Sequence, residues 1–152
     1  MMLFGPILAV GLSLTTGLGS ATADPAPRTV QITASDEMKF SVTEIAARPG
    51  ERIRIVLRAI GKVPKIAMAH NVVVLRKGTD VAAFIRASNM ARETGFVAPA
   101  FSKQIIASTQ LAGAGETVQV TFTAPSAPGR YDFVCSFPGH YAQGMRGVLI
   151  VK

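Results

Sequence analysis

Arg52-Ile53-Arg54-Ile55-Val56-Leu57-Arg58 puts Ile53, Ile55 and Leu57 on one side of an extended chain and its three arginines on the other. Successive side chains of a strand point to opposite faces, so this run reads as a half-buried strand entered from the Pro49-Gly50 turn. The same logic recurs in both directions along the chain. Thr117 to Thr123 turns Val118, Val120 and Phe122 inward. Tyr131-Asp132-Phe133-Val134-Cys135 follows the Ala127-Pro128-Gly129 turn and sets Tyr131, Phe133 and Cys135 on one face. Asn71-Val72-Val73-Val74-Leu75 and Gly147-Val148-Leu149-Ile150-Val151 are apolar on both faces, which suits covered strands. Brief alternating runs broken by turn residues predict an all-β sandwich or barrel.

One stretch departs from this rhythm. From Asp80 to Arg92 the residues Val81, Phe84 and Ile85 fall at helical spacing, with Asp80 as N-cap and Gly95 as stop. Ser88 and Asn89 stand where the next turn of the stripe falls, so the apolar contact is expected to cover only the first half. The prediction is a single helix laid against the sandwich.

The 152 residues suffice for one compact domain once a leader is set aside. Met1 to Ala23 carries no charged side chain, Leu3 to Leu14 is mostly apolar, and Ala21-Thr22-Ala23 has the small-x-small form of a cleavage site just before Asp24. Residues 1–23 therefore read as a secretory signal peptide, although Met1-Met2 lacks the usual basic residue, and residues 24–152 as a single domain. That predicts an exported, periplasmic protein with no stable membrane insertion after leader cleavage. Removing the leader removes no charge, so the domain keeps the net +7. A basic balance is compatible with nucleic acid, an acidic protein or an anionic membrane face. The cations are scattered, however, and no aromatic residues interleave with them as a base-stacking platform requires, which argues against nucleic acid.

Cys135 is the single cysteine, so an internal disulfide is excluded; what remains is an inert buried thiol, an intermolecular bridge or a metal ligand. Its neighbourhood favours the ligand. Cys135-Ser136-Phe137-Pro138-Gly139-His140-Tyr141-Ala142-Gln143-Gly144-Met145 puts a thiolate, an imidazole and a thioether on one loop between two strands. The only other histidine, His70, stands immediately before a buried strand. Singly, each of these residues is more often packing than ligand. Together, two imidazoles, one thiolate and a weak Met form the donor set of copper electron-transfer centres, whereas zinc prefers four strong ligands. A ligand delivered from a separate strand also fixes the distance that a loop alone would let vary.

The chain resembles the azurins, members of the cupredoxin family. The resemblance rests on Cys135-Ser136-Phe137-Pro138-Gly139-His140, on Met68-Ala69-His70-Asn71 and on Ile105-Ile106-Ala107-Ser108-Thr109-Gln110-Leu111-Ala112-Gly113-Ala114-Gly115-Glu116, and it spans most of the domain. It implies a cupredoxin-like Greek-key sandwich of about eight strands with one helical flap and one type 1 copper at one end. Carried over, His70, Cys135 and His140 are the equatorial ligands, Met145 the axial one and the Ala69 carbonyl a weak opposite contact. This chain departs from azurins at three points. Four residues, Tyr141 to Gly144, separate the loop His and Met where azurins have three; Ala69 stands where azurins have Gly; and the azurin disulfide is impossible.

The function so implied is one-electron transfer between redox proteins such as cytochromes or reductases. The alternative is copper storage or delivery, which the lack of a Met- or His-rich tract disfavours. Asp132 and Glu116 have no companion base or nucleophile, so no enzyme is expected. Around the metal, Asn71 is expected to tie the two ligand segments together, and a backbone amide near Phe137 to donate to the Cys135 sulfur. His140, beside Pro138, Gly139, Tyr141 and Ala142, is the expected electron port. Lys62, Lys65 and Arg146 would form a cationic rim for partners with acidic surfaces.

Overall fold

The computed structural model describes Met2 and residues 25–152; apart from Met2, the expected leader lies outside the described residues. Alternating runs become β1 (Arg28–Ser35), β2 (Lys39–Phe40), β3 (Glu44–Ala47), β4 (Arg52–Ile60), β5 (Val73–Leu75), β6 (Ile105–Ser108), β7 (Thr117–Thr123), β8 (Gly129–Val134) and β9 (Arg146–Val151), with one helix, α1 (Val81–Asn89), between β5 and β6. They form a four-stranded sheet in the order β2-β1-β4-β7 and a five-stranded sheet in the order β3-β9-β8-β5-β6. The sheets are open, so the architecture is a sandwich and not a closed barrel.

Two parallel pairings, β1 with β4 and β3 with β9, join strands that cannot be linked by a hairpin. In β4 the alternation read from the sequence is realised in full. Ile53, Ile55 and Leu57 are completely buried while Arg58 is exposed. They face Phe133, Leu149 and Ile32 in the central core between the sheets. Strands β5 and β8 are covered on both sides: Val74 and Phe133 join this core, and Val73, Leu75 and Val134 point the other way, into a second cluster with Phe84 and Ala98.

That second cluster is where α1 lies. Asp80 caps it as expected, its Oδ1 accepting the Ala83 N–H at 2.9 Å. The helix is shorter than the sequence pattern predicts, ending at Asn89, and Gly95 instead closes a separate 3-10 turn, Arg92–Thr94, at φ 65°. The contact also extends past Phe84, because Ser88 is fully buried and its hydroxyl accepts the Ala98 N–H at 3.2 Å. A satisfied hydroxyl can be buried at little cost, so a polar residue continues the apolar stripe.

Gly147 is the second residue of β9, and its backbone lies against the Phe133 ring and the Thr43 carbonyl, where a Cβ would overlap both. Gly147→Ala is therefore expected to destabilise the fold by about 1–3 kcal/mol, as overpacking of a filled core does, measured by urea unfolding.

Candidate metal centre

Cys135 follows the last residue of β8, and Met145 precedes the first residue of β9. The β8–β9 ladder continues one step further, the Cys135 N–H donating to the Met145 carbonyl at 3.1 Å. Between them the loop folds on itself. His140 N–H donates to the Phe137 carbonyl at 3.1 Å, Gly144 N–H to Tyr141 at 2.9 Å and Met145 N–H to His140 at 3.1 Å. Gly139 and Gly144 take φ of 86° and 87°, a left-handed backbone that glycine adopts without steric cost. From the other side, His70 is fixed by a two-way bridge with Ala112, N–H to carbonyl at 2.9 and 2.8 Å.

These two supports bring three donors together. The ligand atoms of His70, Cys135 and His140 all lie within 4.8 Å of one another, and all three residues are buried. The Cys135 Sγ is 3.4 Å from His140 Nδ1. The imidazole rings stand 4.9 Å apart. Met145 is fully buried in the same cluster as Cys135, and Ala69 is fully buried immediately before His70.

Hydrogen bonds between the two ligand-bearing segments fix this spacing. Asn71 Oδ1 accepts the Ser136 N–H at 2.9 Å, and its Nδ2 donates to the Ser136 hydroxyl at 2.9 Å. The expected tie by Asn71 is present, and Ser136 is its partner. Thr109 supplies a further brace that the sequence reading missed: its hydroxyl accepts the Val72 N–H at 3.0 Å, and its own N–H donates to the Val72 carbonyl at 3.0 Å. A lone Ser between Cys and Phe in an otherwise apolar loop was the available signal for the first; nothing local marks Thr109.

Burial also sets the charge state of the donors. It pushes the Cys135 thiol up to about 11, against the pull of the Asn71 and Phe137 backbone N–H groups. The Phe137 amide was expected to serve the sulfur; the Asn71 amide adds a second donor from the opposite segment. Burial lowers both imidazoles, His140 to about 4 with His70 adding to the effect, and His70 to a lesser degree because Asp36 opposes it. Both rings are thus neutral near pH 7, the form that binds metal. His70 Nδ1 is buried with no hydrogen-bond partner. A bare ring nitrogen, aimed into a cluster with a thiol and a second neutral imidazole, is an unmet acceptor that a soft or borderline metal ion would satisfy.

Residues 28–152 match the family described as copper binding proteins, plastocyanin/azurin family. The chain belongs to this family. It is 34% identical over 136 residues to auracyanin-B of Chloroflexus aurantiacus, covering 88% of this chain and 56% of that protein. It is 35% identical over 116 residues to the azurin of Alcaligenes faecalis, covering 74% of this chain and 90% of that one. Among solved structures, the dithionite-reduced auracyanin of the photosynthetic bacterium Roseiflexus castenholzii matches with a TM-score of 0.73 at 34% identity, over 84% of this chain and 99% of that one. The azurin resemblance, the cupredoxin-like fold and copper as the cofactor all stand, and His70, Cys135 and His140 form a site for one copper ion.

Two outcomes are expected. Loading with Cu(II) at about pH 7.5 releases about one proton per ion, from Cys135 alone, because both imidazoles are already neutral; calorimetry in two buffers of different ionisation enthalpy measures this, and about three protons would contradict it. Asn71→Ala, which strands the Ser136 amide and hydroxyl in the interior, lowers stability by about 1–3 kcal/mol and copper affinity by about 10–100-fold, read by chemical unfolding and chelator competition.

Proposed function

We propose that this chain is an exported electron carrier that cycles one type 1 copper between redox partners. The observation that carries this reading is the buried convergence of His70, Cys135 and His140 from two braced segments, their ligand atoms within 4.8 Å of one another. His70, Cys135 and His140 would hold the ion, with Met145 and the Ala69 carbonyl as weaker contacts. Copper held there supplies a one-electron couple. The chain's contribution is rigidity: strands on both sides, the Asn71–Ser136 tie and the two amides aimed at Sγ keep the donors in one geometry for both charge states. A donor set this buried also suits a carrier better than a protein that hands its metal on.

The electron port lies to one side of where the sequence placed it. His140 is only 2% exposed, so its own edge offers almost no surface. Its ring stands 4.8 Å from Phe137, and Phe137 stands 5.2 Å from Phe96. Phe137 and Phe96 open into a groove completed by Ile66, Leu111, Pro138 and Arg92. Ile66 is 78% exposed, a large apolar side chain left in water beside the metal loop. The cationic rim differs as well. Lys65 is paired with Glu116 at 2.6 Å and Arg146 is held over the Tyr141 ring at 5.3 Å, so among the described residues Lys62, Arg92 and Arg146 carry the charge without an ion pair on this side. Partners with acidic surfaces, such as cytochromes or reductases, fit this flank. The reading includes a periplasmic location after removal of residues 1–23 and no enzymatic activity.

Cu(II) loading should produce an intense visible thiolate-to-copper absorption that one reducing equivalent bleaches reversibly, and Cys135→Ala should abolish it; a colourless loaded protein would refute the reading. Arg92→Glu should slow oxidation of the reduced protein by anionic hexacyanoferrate about tenfold at low salt without changing the absorption, the effect fading as salt screens it.

A further inference from the structure

Beyond the metal centre, six of the chain's 16 Lys and Arg side chains lie at the far end of the sandwich. Strands β8 and β9 pair from Gly129 with Val151 at one end to Val134 with Arg146 at the other, and the metal loop joins the second end. Ala47 pairs with Val151, Arg52 with Thr123, and Arg28 with Ile53, so the start of β1, the end of β3 and the start of β4 all lie at the first end. This pole is about 20 Å from the copper ligands along β8. It carries Arg28, Arg48, Arg52, Lys77, Arg130 and Lys152; Lys77 reaches it from the loop after β5, its Nζ lying beside Gly129.

Little negative charge offsets them. Glu51 is committed to the Arg28 Nε at 2.5 Å and to the Arg48 N–H at 2.8 Å, and Asp80 to the helix cap. Arg48, Lys77, Arg130 and Lys152 are exposed; Arg48 shares the charge of Glu51 with Arg28, and the other three make no ion pair among the described residues. The chain also enters the fold here: Pro25 and Ala26 line a groove with Arg28, Arg48 and Arg52. The apolar run Leu3 to Leu14 precedes that entry by only about ten residues.

From this coincidence we propose that the pole opposite the metal centre is a docking surface for anionic lipid headgroups, which sets the domain on a membrane face with its copper end directed away. Phosphate-bearing headgroups present a plane of negative charge, and several unpaired Lys and Arg side chains on one end of a rigid body meet such a plane together. Docking there leaves the Ile66–Arg92–Phe137 flank open to a soluble partner. None of this depends on which metal the site holds.

The test is cosedimentation of the exported, copper-loaded protein with phosphatidylcholine vesicles and with vesicles containing about one-third phosphatidylglycerol, at low and at high salt. Binding is expected only to the anionic vesicles, with release at high salt. The double variant Arg48→Glu/Lys77→Glu should bind about fivefold less or weaker still, whereas Lys62→Glu/Arg92→Glu, with the same charge change at the copper end, should stay within about twofold of the parent. An unchanged visible absorption confirms that each variant is folded. Equal losses in the two double variants would reduce the effect to net charge and overturn the proposal. So would equal binding to uncharged vesicles, or complete release by inorganic phosphate at constant ionic strength, which would indicate a site for a free anion.

Discussion

Asn71 and Ser136, 65 residues apart in the chain, hold one another by three hydrogen bonds in the interior, and the metal centre depends on that pairing. Asn71 follows His70 directly, and Ser136 follows Cys135. Their side-chain and backbone groups therefore set the distance between the segment before β5 that carries one imidazole and the loop that carries the thiol and the other imidazole. An amide and a hydroxyl this deeply buried are costly to strand, so the geometry is enforced by the cost of breaking it as much as by the strength of the bonds. The backbone amide of Asn71 is also aimed at the Cys135 sulfur, so one residue positions the ligand segments and helps stabilise the thiolate.

Burial is the second half of the same constraint. The apolar surroundings that keep both histidines neutral also hold the thiol protonated until a cation displaces its proton. The interior is thus arranged for a positive ion and costly without one, since His70 Nδ1 then has no partner. Closing the site this tightly leaves His140 almost no exposed edge. Access passes instead to its neighbour Phe137 and the apolar groove around Phe96 and Ile66, with Arg92 at its margin.

The remaining architecture gives the molecule two unlike ends. At one end a mostly apolar flank surrounds the metal loop; at the other, unpaired basic side chains collect where the chain enters the sandwich. The scattered look of Lys and Arg in the sequence conceals this polarity, because Arg48, Lys77, Arg130 and Lys152 are far apart in order and meet only when the ends of β3, β5, β8 and β9 are brought to one pole.

Alternation and donor chemistry are local properties, and they were legible from residue order. The faces of Ile53, Ile55 and Leu57, the Asp80 cap, and the grouping of Cys135, His140 and Met145 on one loop all follow from the period of a strand or from spacing within a dozen residues. Misreadings arose where a partner from elsewhere in the chain decided the outcome. Ser88 is buried because Ala98 satisfies its hydroxyl, Lys65 loses its free charge to Glu116, and His140 is covered by its packing against Phe137. By itself the sequence determined which atoms could bind copper and that a β-sandwich would frame them, since those depend on side-chain type and period alone. Only the tertiary structure decided how closely the donors converge, which flank opens to a partner and where the charge collects, because each is set by packing between segments that chain order keeps apart.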